Sequence, residues 1–225
     1  MSNIYVRAKS ADEWAALLAD PVKHWKSGYS ARTLAHSWQD ALGFPVEVAS
    51  ALRSEPLFAD IELLIAMPEH QVPLPGGARP SQNDIWALAR AGENLVSIAV
   101  EGKVDEAFGP TLDEWLSDPS PGKSQRLAFL REQLGLGESL PGALRYQLLH
   151  RTASAIIEAK RFCAPQAVML LHSFSKTRQW FGGYAAFAAL LGAKVEVDRT
   201  VSLGQHGGVA LFLCWVCGNE DYLQR

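Results

Sequence analysis

The sequence predicts an α/β fold in which a central mixed β-sheet is flanked by helices, with an N-terminal helical layer packed on it. Three observations carry this prediction. Apolar residues recur at helical spacing through the first 55 residues; from Asp60 the pattern changes to short extended runs broken by proline and glycine; and after a helical stretch, further apolar runs of strand length follow. With 225 residues, 48% of them hydrophobic, the chain can fill a sizeable core. Residues 1–55 read as the helical layer and 56–225 as the α/β core of one compact unit.

The elements follow in order. Helices are expected at Asp12 to Leu18, at Ala31 to Leu42, where Leu34, Trp38 and Leu42 share one face, and after Pro45. Strands are expected at Ile61 to Met67, Ile85 to Arg90 and Leu95 to Val104, separated by Pro68, the stretch Pro73 to Gly77 and the turn Gly92-Glu93-Asn94. Leu112 to Leu116, Lys123 to Leu134 and Leu144 to Phe162 read as helices. A buried strand Ala167 to Leu171, a helix Tyr184 to Leu191, a strand Lys194 to Val201, a turn at Gly204, Gly207 and Gly208, and a strand Val209 to Val216 complete the pattern.

Composition narrows the function classes. No apolar run reaches the about 18 residues of a membrane span, and Arg7, Lys9, Asp12 and Glu13 do not fit a signal peptide, so a cytoplasmic protein with no membrane partner is expected. Cys163, Cys214 and Cys217 are too few for a disulfide framework, and the Cys214-x-x-Cys217 pair lies inside an apolar run, where structural cysteines are expected. A formal charge of −3 does not mark a nucleic-acid binder, although Ser120 to Arg161 carries seven basic residues against three acidic ones. Trp14, Trp25 and Trp38 read as core residues of the helical layer. The six histidines show no metal-ligand spacing, and no nucleophile elbow, Walker loop or dinucleotide fingerprint is present.

The chemistry concentrates in one hairpin. Alternation places Ser97, Ala99, Glu101 and Lys103 on one strand face, small and polar, and Val96, Ile98, Val100 and Val104 on the other, a core face. A turn at Gly92-Glu93 pairs residues so that Trp86 faces Ala99 and Asp84 faces Glu101. Opposed Cβ atoms lie about 5 Å apart, so the two carboxylates repel unless solvated, protonated or bridged by a cation. Asp84 and Glu101 are therefore candidate ligands of a hard divalent ion, Mg²⁺ or Mn²⁺, and Lys103 stands where its ammonium offsets charge and reaches an attacking water. The reaction class this arrangement implies is metal-assisted phosphodiester hydrolysis.

Asp84 followed by the Glu101-x-Lys103 triplet resembles the PD-(D/E)XK, or restriction-endonuclease-like, phosphodiesterase superfamily, with Asn83 in place of the motif's proline. The resemblance covers about Asp60 to Leu171. It implies a mixed sheet flanked by helices, catalytic Asp84, Glu101 and Lys103, a metal held by Asp84 and Glu101, and substrate contacts from Gln147 and Arg151, which are four apart on the helix that follows. It also implies a nucleic acid substrate, DNA before RNA, and is compatible with a homodimer. The alternatives are a nuclease-fold binding or regulatory module without catalysis, favoured by the acidic balance, and a protein acting on a small anionic molecule. Lys176 and Arg178 are further, less specific candidates for anion contact.

Overall fold

The computed structural model describes residues 8–225; Arg7, from the N-terminal reading above, lies outside them. A six-stranded sheet forms the centre: β1 (Glu62–Val72), β2 (Ser81–Ala91), β3 (Asn94–Lys103), β4 (Gln166–Ser173), β5 (Arg199–His206) and β6 (Val209–Cys217), in the order β1-β2-β3-β4-β6-β5. β3, β4 and β6 run parallel and the other neighbours antiparallel, so the sheet is mixed as expected. Helices α1 (Pro21–His24), α2 (Ser30–Asp40), α3 (Val46–Arg53), α4 (Leu112–Leu116), α5 (Pro121–Leu134), α6 (Tyr146–Arg161) and α7 (Phe181–Leu190) surround it, and among the described residues none is long and apolar enough to cross a membrane.

Each face of the sheet has its own core. α2 and α3 bring Leu34, Trp38, Val48 and Leu52 against Val96, Ile98, Val100, Val168, Phe212 and Val216, so the N-terminal helices form one outer layer. α5, α6 and α7 bring Leu130, Leu148, Ile156, Tyr184 and Phe187 against Ala99, Met169, Leu171, Leu213 and Trp215. Each fully buried large apolar side chain contributes about 1.5–3 kcal/mol. The central strands β4 and β6 are apolar on both faces because helices cover both.

Local chemistry fixes the ends of the helices. Ser120 caps α5 by accepting from the Lys123 amide, Pro121 occupies the first turn, and Gly135 closes the helix in the left-handed region at φ 64°. Thr111 and Glu114 form a reciprocal capping box on α4. Gly76 and Gly122 cross so closely that a Cβ on Gly122 would lie 2.4 Å from the Gly76 carbonyl oxygen, which lets the β1–β2 connection pack on α5.

Several expectations need correction. Pro68 does not end the first strand: β1 continues to Val72 because it is a sheet edge, where a missing N–H is tolerated. The first predicted helix is a 3-10 turn over Ala11–Leu17, and the short α1 was not anticipated. β5 begins at Arg199 and not at Lys194; Asp198 adopts φ +58° there, and the strand then runs through the bulge at Gly204 to His206. Two of the seven basic residues of Ser120 to Arg161 are not surface charges: Arg126 is buried and donates to the carbonyls of Leu74, Pro75 and Gly77, and Arg151 is buried as well.

Candidate active site

The hairpin register matches the count from its turn, with Ile85 opposite Val100, Trp86 opposite Ala99 and Ala91 opposite Asn94. One further step places Asp84 beside the Glu101–Gly102 peptide, where its Oδ2 accepts from the Gly102 amide at 2.7 Å in place of a ladder bond. A Cβ on Gly102 would lie 3.0 Å from the Leu34 side chain and 3.4 Å from Asp84 Oδ2, so the middle of the Glu-x-Lys triplet accommodates little more than glycine. The strand face read as small and polar is not open along its length. Ser97 and Ala99 lie under α6, with Trp86 Nε1 donating to Ser97 Oγ, and the face opens only where Glu101 and Lys103 reach a cleft.

That cleft, of about 940 Å³, gathers every residue singled out from the hairpin and the following helix: Asp84, Glu101, Lys103, Gln147 and Arg151. Glu101 is its hub and is only 2% exposed. Its Oε1 accepts from Lys103 Nζ and Gln147 Nε2, both at 2.7 Å, and its Oε2 accepts from Arg151 Nε at 2.5 Å. Burial raises its pKa, but the Arg151 and Lys103 cations outweigh that and draw it down to about 2. Burial lowers the Lys103 pKa while Glu101 and Asp84 raise it; the net shift is upward, so the side chain is an ammonium. Arg151 is held in turn by Ser81 Oγ, 3.1 Å from its Nη1, and Ser81 also meets His150 Nδ1 at 2.8 Å.

Asp84 has the opposite environment. Among the described residues it forms no ion pair, and burial together with the nearby Glu101 and Glu69 pushes its pKa well above the ordinary carboxylate value. Glu69 was not foreseen. The β1–β2 register, with Pro68 opposite Ile85 and His70 opposite Asn83, brings it opposite Asp84, in the left-handed region at φ 53°. Gln82 Nε2 donates to Glu69 Oε2 at 2.6 Å, and burial raises the Glu69 pKa to about 7. The sequence held the signal: once Pro68 is allowed on an edge strand, the count from the β1–β2 connection pairs Glu69 with Asp84.

Three adjacent strands thus line up Glu69, Asp84 and Glu101, with Lys103 and Arg151 as the cations among them. Among the described residues no group of three His, Cys, Asp or Glu side chains is arranged to hold a metal ion, so any metal would rest on fewer protein donors. The remaining candidates are structural. Trp14 and Trp38 are buried, and Trp38 Nε1 donates to Nδ1 of the fully buried His172, whose Nε2 faces Glu47 Oε1 at 3.3 Å. Cys214 is buried and its thiol is pushed up to about 12 by burial, whereas Cys163 is exposed. Lys176 lies outside the cleft lining and pairs with Glu220 at 3.6 Å.

No curated protein and no solved structure matches the chain. One family model does, over residues 7–220, and the chain therefore belongs to the family described as Domain of unknown function (DUF6946).

Proposed function

We propose that this protein is a divalent-metal-dependent phosphodiester hydrolase of the PD-(D/E)XK, restriction-endonuclease-like kind, acting on nucleic acid. The observation that carries the reading is the convergence of Asp84, Glu101, Lys103, Gln147 and Arg151 from two strands and one helix into a single cleft. The donor set fits Mg²⁺ or Mn²⁺: Asp84 is a carboxylate that forms no ion pair among the described residues, and Glu101 Oε2, with one donor, retains a lone pair. Such an ion is often bound through one or two carboxylates and keeps several waters. When bound it supplies Lewis-acid stabilisation of charge on the phosphoryl group.

The chain's own groups have distinct tasks in this reading. Lys103, fully charged, orients the attacking water by donating to it and does not act as a base. Glu69, whose pKa of about 7 suits proton exchange at neutral pH, is the group in the cleft best matched to receive the water's proton. Arg151 and Gln147 offer further N–H groups to phosphate oxygens, and Ser81 fixes the guanidinium plane.

The test is calorimetric Mg²⁺ and Mn²⁺ binding to the wild type and to the Asp84→Ala, Glu101→Ala double variant, with plasmid and single-strand cleavage on the same preparations. Loss of binding and cleavage together supports hydrolysis. A second reading, a non-catalytic binding or regulatory module on the same scaffold, is favoured by one observation: both Glu101 oxygens are already engaged by Lys103, Gln147 and Arg151. A wild type that binds no divalent ion at millimolar concentration selects it.

A further inference from the structure

We propose that the cleft takes a single strand or an unpaired end of nucleic acid rather than an intact duplex, gripped by Lys23 and Tyr29 of the N-terminal layer. This rests on the hydrolase reading and names its substrate form. The acidic floor is only part of the cleft lining; Leu18, Ala19, Lys23, His24 and the segment Gly28 to Ala31 form one wall, and Val104 to Ala107 with Gly109 form another. These residues stand at the same cleft as Glu101 and Lys103, which are 2% and 5% exposed.

Size decides between the two forms. At about 940 Å³ the cleft lies at the upper end of the roughly 300–1,000 Å³ typical of pockets that enclose one small ligand. That space admits a short run of flexible nucleotides. A stiff duplex conforms to a cleft walled by the N-terminal layer less readily than a flexible single strand does.

The wall carries the groups that recognise an unpaired strand. Tyr29 is 47% exposed, yet its backbone is pinned: its carbonyl accepts from the Thr33 amide, and the next amide, Ser30, donates to Glu106 Oε1 at 3.2 Å. Lys26 Nζ sits 5.7 Å from the centre of its ring. The Lys26 ammonium lies over one face of this anchored ring, and stacking on the other is available only to bases that are not already paired and stacked. Lys23 is exposed at the same wall, and among the described residues no carboxylate pairs with its ammonium. Gly28, at φ +78°, has among the described residues no atom within 4 Å of where a Cβ would stand, its two chain neighbours aside.

The test is fluorescence anisotropy with a labelled oligothymidylate of about 12 nucleotides, within the roughly 4–16-nucleotide footprint of single-strand sites, and with the same strand annealed to its complement, in Ca²⁺ without Mg²⁺. The single strand should bind at least about tenfold tighter than the duplex. Tyr29→Ala should weaken it about tenfold, as stacking losses do, and Lys23→Glu should flatten the salt dependence by about one phosphate contact. Both side chains are exposed, and thermal melts should match the wild type. Equal or tighter duplex binding, wild-type binding by both variants, or no binding of the strand overturns the proposal. Because the readout needs no turnover, strand binding through Tyr29 without Mg²⁺-dependent cleavage defeats the hydrolase reading alone. Duplex cleavage unaffected by Tyr29→Ala defeats this inference alone.

Discussion

Two isosteric substitutions in the same cleft should move stability in opposite directions. Glu101→Gln removes the charge that neutralises Lys103 and Arg151, which are 5% and 7% exposed. The amide has one accepting oxygen for three donors, so its NH2 must face either Arg151 or the Lys103 and Gln147 donors. Breaking one side of a buried ion cluster costs about 3–5 kcal/mol. For a chain of this size, each kcal/mol moves Tm by about 2–4 °C, so a fall of about 6–20 °C is expected. Asp84→Asn keeps an oxygen for the Gly102 amide and removes a carboxyl whose ionised form is disfavoured by burial and by two neighbouring carboxylates. It should gain about 1–2 kcal/mol at neutral pH, a Tm rise of about 2–8 °C, while losing metal binding; active-site residues are often kept at such an expense in stability. Differential scanning calorimetry at pH 7.5 without divalent ions reads both. A fall of similar size in the two variants would refute the reasoning, because it would mean that Asp84 is compensated as fully as Glu101.

Other outcomes follow from the same geometry. Glu69→Gln keeps an oxygen for Gln82, and because the folded pKa of about 7 exceeds the ordinary 4.5, the wild-type charge destabilises the fold above pH 7 and ceases to do so as pH falls toward 4.5. The variant should therefore melt higher than wild type at pH 8.5, by about 1–3 kcal/mol in stability, and at the same temperature at pH 4; a constant offset across that range would contradict the assignment. If Mg²⁺ occupies the cleft, at a hundredfold its dissociation constant it should add about 2.7 kcal/mol to wild-type stability and nothing to the Asp84→Ala, Glu101→Ala variant, read as the shift in Tm. Gly122→Ala drives a Cβ into the Gly76 carbonyl and should destabilise by about 1–3 kcal/mol in urea melts; wild-type stability would show that this crossing yields easily. Trp38→Phe leaves His172 Nδ1 buried without its donor and should cost about 1–3 kcal/mol, measured the same way.

Much of the central hairpin was legible because a two-residue turn leaves little freedom: once Gly92-Glu93 is the turn, the pairing of Trp86 with Ala99 follows by counting. Gln147 and Arg151 were legible for the same kind of reason, since a four-residue spacing on one helix aims both side chains at the same place. Glu69 was hidden by Pro68, because a proline ends a central strand but not an edge strand, and edge position is a property of the whole sheet. The start of β5 was misread because Val195 and Val197 alternate as strand residues do, while Asp198 turns the chain through φ +58° and its Oδ1 accepts from the Cys217 amide. The fate of Arg126 was equally non-local, since its carbonyl partners lie about fifty residues earlier.

The irregular stretch of β1 has a consequence outside the cleft. β1 lies at the open margin of the sheet, where a regular ladder of free amides and carbonyls would invite a strand from another molecule to add itself. Pro68 withholds one amide from that margin, and Glu69 next to it, at φ 53°, departs from the extended backbone that an incoming strand would pair with. The distortion that turns a carboxylate toward Asp84 also makes this border a poor template for intermolecular β-pairing. Replacing Pro68-Glu69 with a regular β-forming pair would therefore be expected to promote self-association as well as to disturb the row of acids.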